Sequence, residues 1–123
     1  MKIEVSNGEI IDKLTIIQIK LERIKDVVKQ ENLQKEYNEL IVTSSSIIST
    51  EDTLYQSLYD VNSELWDIED HIRDLERKKD FGNDFIETAR AVYIKNDRRS
   101  ELKREINIKT SSGLMEEKSY EKY

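Results

Sequence analysis

The chain has 123 residues, with no proline, no cysteine and three glycines, which fits one domain and excludes a disulfide framework, a thiol nucleophile and a cysteine metal site. Charged and hydrophobic residues each make up 37% of the chain, a balance typical of amphipathic helices with narrow apolar stripes. The net charge of -6 argues against general nucleic-acid binding, which needs a dominant basic face. We therefore expect an all-α protein that binds no nucleic acid.

Other classes of site and location are also disfavoured by the composition. No apolar run approaches the roughly 20 residues of a membrane span, and the first residues contain no apolar signal-peptide region. The single histidine cannot form a histidine cluster. We expect a cytoplasmic protein without a membrane segment, a bound metal or a cofactor.

The first helix is predicted to start at Ser6, because Ser6-Asn7-Gly8-Glu9 has the S-x-x-E pattern of a capping box. Its apolar positions recur in steps of 4 and 3, which is a heptad pattern. Charged residues then occupy the seam positions after Val28, so we expect a break at Gln30 to Asn32, with Asn32 capping the second helix. The predicted seam consists of Ile10, Leu14, Ile17, Leu21, Ile24 and Val28.

The third helix is the clearest element and is predicted over 51–79, with Ser49 or Thr50 as its cap. Residues 80–83 (DFGN) form a turn, so the next helix is expected to return beside it as a long antiparallel hairpin with coiled-coil-like packing. Such long, thin seams favour association of two copies, and we expect a homodimer. Trp66 lies off the seam and is expected to anchor packing against another helix. The seam consists of Leu54, Leu58, Val61, Leu65, Ile68, Ile72 and Leu75.

The fourth helix has a less regular pattern. Asp84 is its predicted cap, and Asn96 and Asp97 are predicted to interrupt it before it restarts, which gives four to five helices in all. The single helical domain is expected to cover residues 1–109, followed by a polar tail over 110–123. The apolar residues expected to face inward are Ile86, Ala89, Val92, Tyr93, Leu102 and Ile106.

Charge is segregated between the third and fourth helices. Residues 51–76 hold one basic and nine acidic groups, net -8, whereas residues 77–109 hold ten basic and six acidic groups, net +4. Because neighbouring antiparallel helices face each other, the simplest interpretation is that the basic helix pairs with the acidic one.

A second interpretation concerns the segment YIKNDRRSELKR at 93–104. If a helix restarts at Asn96-Asp97, its free backbone N–H groups would face an anion together with Arg98, Arg99 and Lys103. These residues form a candidate phosphate or carboxylate site. Two further residues that project beside the first seam are weaker candidates for the same polar site, Asp12 and Lys13.

Two acid-x-x-acid pairs raise the alternative of a magnesium-dependent hydrolase. All-α nucleotide pyrophosphohydrolases bind magnesium with such pairs on two helices, and this chain has Glu36 with Glu39 and Glu64 with Asp67. With 26 acidic residues in 123, similar pairs arise by chance, so this alternative is the weaker one.

Four segments resemble a family of small bacterial and phage proteins known only as a domain of unknown function: VSNGEIIDKLTI (5–16), IKLERIKD (19–26), SELWDIEDHIRDLERKKDFG (63–82) and YIKNDRRSELKREIN (93–107). The resemblance implies that polar residues from separate helices meet in one cluster, either a pocket or a salt-bridge network. It also suggests an accessory role in sugar or polysaccharide metabolism. The implied cluster contains Asp12, Lys13, Glu69, Asp70, Arg73, Asn96, Asp97, Arg98 and Arg99.

Together these observations favour an interaction or anion-binding module over an enzyme. The expected partners are a second copy of the chain and a small anionic ligand or a partner protein. The alternative is an enzyme that acts on a phosphorylated small molecule or a nucleotide, with the NDRR segment holding the phosphate.

Overall fold

The computed structural model describes residues 1–123 and contains helices without strands, which confirms the all-α prediction. No helix combines the length and the apolar character needed to cross a bilayer. The four helices are α1 (Asn7–Arg23), α2 (Val27–Ser45), α3 (Thr53–Arg77) and α4 (Asn83–Lys109).

The helices form a bundle in which α1 packs against each of the other three. Helices α3 and α4 run antiparallel over about 37 and 41 Å, at ~1.5 Å per residue, so the predicted long hairpin is confirmed. The backbone of α2 approaches α1 and no other helix. Helices α1, α3 and α4 therefore form the three-helix unit on which a site can be built.

The core lies where α1 crosses this hairpin. Leu14, Leu58 and Ile106 are fully buried, and the side chains of α2 and the α2–α3 loop close the same cluster from one side. The core cluster consists of Ile11, Leu14, Ile48, Tyr55, Leu58, Val61, Leu102 and Ile106.

The first helix boundary was predicted correctly at its start and wrongly at its end. Ser6 is the N-cap, and its hydroxyl accepts from the Glu9 N–H at 3.1 Å. Helix α1 stops at Arg23, however, and Asp26 caps α2 by accepting from the Lys29 N–H. The predicted break at Gln30–Asn32 is wrong because the side chain of Gln30 bonds back to the free carbonyl of Leu21, at 2.8 Å, and so stabilises the earlier break.

The α3–α4 turn lies where the sequence places it, but other residues cap the helices. Asp52 caps α3 in place of Ser49 or Thr50, and Gly82, not Asp84, is the N-cap of α4. Lys79 has φ of 54°, and the Asp80 N–H reaches back across the last turn of α3 to a carbonyl, as in a Schellman motif.

Helix α4 is continuous through Asn96 and Asp97, so the predicted interruption is wrong. Its inward seam has heptad spacing but includes three polar residues. The spacing of the apolar residues alone therefore does not show the heptad period. Ile86 and Tyr93 were predicted to face inward and are exposed. The observed seam consists of Phe85, Thr88, Val92, Lys95, Arg99, Leu102 and Ile106.

Residues 111–123, here called the C-terminal strap, contain no helix but return along α4. The carboxylate of Glu116 accepts from the Ser6 hydroxyl at 2.6 Å and from Lys103 at 3.3 Å. The Tyr123 ring packs edge-on against Tyr93, with 5.0 Å between ring centroids. The strap therefore fastens the start of α1 to the outer face of α4.

Candidate functional site

A buried polar layer crosses the three-helix unit, with side chains from each helix. Asp12 of α1 is only 1% exposed. Its Oδ1 accepts from Asn62 Nδ2 of α3 and from Arg99 Nε of α4, both at 2.9 Å. Its Oδ2 accepts from Arg99 Nη2 at 2.5 Å. This bidentate pair and its amide support fix the register of α1, α3 and α4.

The layer is completed by Thr15, one turn along α1 from Asp12. The Thr15 hydroxyl donates to the Asp12 carbonyl at 2.7 Å and accepts from Asn62 Nδ2 at 2.8 Å. Every polar group of Asp12, Thr15 and Asn62 that faces the interior thus has a partner, which is what a buried network requires for stability.

Close contact between α1 and α4 allows these short bonds. The Gly8 N–H donates to Asn107 Oδ1 at 2.6 Å. A Cβ atom at Gly8 would overlap the carbonyl oxygen of Lys103, a backbone atom that cannot move independently of α4. Glycine at position 8 is therefore required by the close approach of the two helices.

Lys103 lies one turn beyond Arg99, and its ammonium donates to Glu9 at 2.6 Å. Burial lowers the pKa of Lys103, but the hydrogen bond to Glu9 and the surrounding carboxylates outweigh burial and leave the pKa raised. The pKa of Arg99 is raised chiefly by its hydrogen bond to Asp12. Both cations therefore remain charged in the folded protein.

The polar layer opens on one side into a surface groove of about 490 Å³, here called the Trp66 groove. Arg99 and Asn96 of α4 form one wall, and Trp66 and polar residues of α3 form the other. Arg23 of α1 stacks over the Trp66 ring at 5.8 Å from its centroid. The lining is Ile16, Asn62, Leu65, Trp66, Glu69, Asp70, Arg73, Asn96 and Arg99.

The charges of the groove are partly compensated. Arg73 Nε donates to Glu69 at 3.2 Å, and Arg99 is paired with Asp12. The groups that remain available include Asp70, which forms no ion pair, and the Nη1 group of Arg99 and the amide of Asn96, which have no hydrogen-bond partner within the chain. The groove can therefore both donate and accept hydrogen bonds, next to an aromatic ring.

The structure brings together six of the residues in the predicted cluster: Asp12, Glu69, Asp70, Arg73, Asn96 and Arg99. Lys13 instead pairs with Glu36 of α2 at 3.1 Å. Asp97 lines the opposite face of α4, toward the strap.

Arg98 pairs with Glu101 on the same helix, at 3.3 Å. Because α4 does not restart at Asn96, there are no free N–H groups there. The predicted cradle of a helix start with Asn96, Arg98, Arg99 and Lys103 is therefore wrong.

The predicted pairing between the basic fourth helix and the acidic third helix is only partly observed. Lys95 pairs with Glu64 of α3 at 2.5 Å, and Lys109 pairs with Asp52 at 2.5 Å. Arg99, however, is paired with α1.

The four carboxylates of the magnesium alternative are also separated. Glu36, Glu64 and Asp67 pair with Lys13, Lys95 and Arg23 respectively, and the backbones of α2 and α3 do not come together.

Asn62 was missed by the sequence reasoning, and Trp66 was interpreted only as a packing anchor. Asn62 lies four residues after Leu58 and four before Trp66, so all three share one helical face. An asparagine within an otherwise apolar face was the available signal, because burial of an amide requires a polar partner.

The sequence matches the profile of a family described as "Family of unknown function (DUF6165)" over residues 1–123. This match confirms the resemblance to a family of unknown function. Neither the curated proteins nor the solved structures include a significant match.

Proposed function

We propose that this chain, which belongs to the Family of unknown function (DUF6165), is a cytoplasmic binding module that holds a small molecule with one anionic group in the Trp66 groove. The observation that supports this proposal is the state of Arg99. Asp12 holds its Nε and Nη2 groups, its Nη1 group has no partner, and 31% of the side chain is exposed. A guanidinium fixed in this way loses little conformational freedom when a ligand accepts from it.

The chemistry of the groove restricts the ligand further. Glu69 offsets Arg73 and Asp12 offsets Arg99 in formal charge, so Asp70 remains the one unbalanced charge of the groove. A ligand with a single carboxylate or phosphate monoester beside Arg99 therefore suits the groove better than a polyphosphate. Hydroxyl or ammonium groups on the same ligand would donate to Asp70, and its apolar face would lie on Trp66. The volume of about 490 Å³ falls in the range of small-molecule sites, roughly 300–1,000 Å³.

A fluorescence titration tests this proposal directly, because Trp66 is the only tryptophan of the chain. The probes are glucuronate, glucose 1-phosphate and inorganic phosphate, with glucose as the uncharged control. The two charged sugars, glucuronate and glucose 1-phosphate, also test the accessory role in sugar or polysaccharide metabolism. We expect saturable changes in Trp66 emission with the charged sugars that glucose does not produce. Identical responses to glucose and to the charged sugars would contradict the role of Arg99.

Asn96→Ala is the most informative binding variant. The Asn96 side chain lines the groove but makes no hydrogen bond within the chain, so its loss should leave the melting temperature unchanged while weakening binding. The loss expected for one hydrogen bond is about 1 kcal/mol, or roughly fivefold in Kd. Arg98→Ala is the matched control on the same helix, because Arg98 lies outside the groove. Equal effects of the two variants would argue against binding in the groove.

The alternative of an enzyme acting on phosphorylated small molecules or nucleotides is tested with the same probes. Release of inorganic phosphate from glucose 1-phosphate or from a nucleotide, lost in Asn96→Ala and retained in Arg98→Ala, would favour the enzyme. Binding without turnover would favour the module.

We further propose a homodimer, in which a second copy covers apolar side chains left open on the outer face of α2. Val27, Val28 and Val42 are 72%, 66% and 75% exposed, and burying them against another chain would be favourable. Sedimentation velocity measures this: a concentration-dependent mass that becomes monomeric in Val28→Lys supports the dimer, and a monomeric mass at high micromolar concentration refutes it.

A further inference from the structure

A second cleft, separate from the Trp66 groove, lies on the other side of α4 between that helix and the C-terminal strap. Its volume is about 480 Å³. Tyr93 forms part of the helix wall, and two tyrosines come from the strap. Asn96 borders both clefts, but no other residue is shared between them. The chemically active residues of this strap cleft are Tyr93, Asp97, Lys118, Tyr120, Glu121 and Tyr123.

We propose that the strap cleft is a binding site for an organic cation, namely an alkylated ammonium group such as a quaternary amine. The rings of Tyr93, Tyr120 and Tyr123 supply π faces, which attract a cation within about 6 Å of the ring centroid. A quaternary ammonium has no N–H group to donate, so aromatic faces and nearby carboxylates are the groups that recognise it. The site is independent of the function proposed for the Trp66 groove.

Carboxylates supply the matching charge. Asp97 on α4 and Glu121 on the strap both line the cleft, and neither forms an ion pair with a side chain of this protein. Asp97 also lies beside the Tyr123 hydroxyl and raises its pKa through a hydrogen bond. With Lys118 included, the lining keeps a net charge of -1, which favours a monovalent cation.

The protein's own Lys118 provides a second line of support. Its ammonium lies over the Tyr120 ring, 5.5 Å from the centroid. One aromatic face of the cleft thus already holds an alkylammonium group, although a lysine is a strongly hydrated and mobile occupant. An external cation with a less strongly hydrated head would displace it.

The tyrosine rings are arranged so that a ligand can reach them. Tyr93 and Tyr123 both line the cleft and meet edge to face, with 64° between ring planes, so each ring keeps at least one face that the other does not cover. Tyr120 is 81% exposed, so the face of its ring that Lys118 does not cover is accessible from solvent. The strap is held in place elsewhere, by Glu116 on Ser6 and Lys103, so occupation of the cleft does not require the strap to detach.

The test compares choline with 3,3-dimethyl-1-butanol, its uncharged carbon isostere, in an NMR titration of the full chain at constant ionic strength. We expect choline to shift the amide signals of residues 92–97 and 118–123 saturably, with a Kd in the millimolar range, and the alcohol to bind at least about fivefold more weakly. Equal binding of the two probes overturns the proposal, as does a choline response located at residues 62–73 of the Trp66 groove.

Paired variants at Tyr120 separate the π interaction from simple bulk. Tyr120→Phe retains the aromatic face and should keep choline affinity within twofold. Tyr120→Leu retains an apolar side chain but should weaken binding about two- to fivefold, the loss expected for one cation–π contact at an exposed site. If both variants bind choline as the wild type does, the proposal is wrong.

Lys118→Gln should raise the affinity for choline, whereas Tyr120→Leu should lower it. Removing the internal ammonium leaves the Tyr120 face open and increases the negative charge of the cleft, so choline should bind about two- to fivefold more tightly. Weaker or unchanged binding in Lys118→Gln would contradict the role of Lys118 as an internal occupant. Each variant is on the exposed strap, where a substitution should change the free energy of unfolding by no more than about 0.5 kcal/mol. Melting temperatures within about 1–2 °C of the wild type would confirm that folded proteins are being compared.

Discussion

Replacing Arg99 by methionine should destabilise the protein far more than the same change at the adjacent Arg98. Arg99 supplies two of the three side-chain hydrogen bonds to the Asp12 carboxylate, which is 1% exposed. In Arg99→Met the carboxylate keeps only the bond from Asn62. It is then a buried charge without a directly paired cation, because Lys103 nearby is already bonded to Glu9, and this is the physical reason for the expected loss.

The magnitude follows from the burial of the pair. Removing one partner of a buried ion pair costs about 3–5 kcal/mol. We expect the lower end, about 3 kcal/mol, because the side chain of Arg99 is 31% exposed and water from the groove can reach the vacated space. For a chain of 123 residues, that corresponds to a fall in Tm of about 10 °C.

Urea denaturation of a double-mutant cycle provides the measurement. Arg98→Met removes only an exposed pair with Glu101 on the same helix, so it should change the free energy of unfolding by less than about 0.5 kcal/mol. Asp12→Asn combined with Arg99→Met removes both charges and should recover at least about 1 kcal/mol relative to Arg99→Met. Equal losses in Arg98→Met and Arg99→Met, or no recovery in the double variant, would refute the assignment of this pair as the centre of the layer.

Three further predictions concern the close helix contact, the α3 terminus and the strap. Gly8→Ala should lower the free energy of unfolding by about 2 kcal/mol in urea, because its Cβ would overlap the Lys103 carbonyl, whereas Gly113→Ala, with open space around it, should have little effect. Lys79→Gly should stabilise the protein by about 1 kcal/mol, since φ of 54° strains a residue with a Cβ; a lower urea midpoint would contradict this. The hydrogen bond from Ser6, and secondly Lys103, lower the pKa of Glu116 in the folded protein. The stabilisation that Glu116 contributes is therefore complete above its unfolded-state pKa of 4.5, and it is lost as the pH falls through the lower pKa of the folded state. NMR signals of residues 111–123 should therefore shift toward those of a free strap in acid, and Glu116→Gln should show that state already at pH 7.

Local signals in the sequence were sufficient for the helices themselves. The capping box at Ser6 correctly located the start of α1 because it depends only on residues three apart. The heptad of α3 likewise predicted a long helix. The short turn after it predicted the hairpin, because two helices joined by a five-residue turn pack antiparallel. The weak points were helix ends decided by longer-range bonds, such as that from Gln30 to Leu21.

The candidate site could be predicted only as a group of residue types. The resemblance brought Asp12, Arg73 and Arg99 into one set, but nothing in the sequence separated Arg99 from Arg98 beside it. Successive residues of a helix point about 100° apart, so which of the two faces the interior depends on how α4 is rotated against α1. That rotation is fixed by the packing of Leu102 and Ile106 in a core whose other members come from α1, α3 and the α2–α3 loop, distant in sequence from α4.

The sequence by itself therefore determined the class of fold, the long hairpin and the concentration of basic residues at 93–104, because these follow from periodicity and composition over short distances. Tertiary structure alone decided what each basic residue contacts: Arg99 the buried Asp12, Arg98 its own helix, and Lys103 both Glu9 and the strap. The physical reason is that three of the seven seam positions of α4 are polar. Thr88 bonds within its own helix, but the inward orientation of Lys95 and Arg99 is favourable only when their partners from α3 and α1 are already in place.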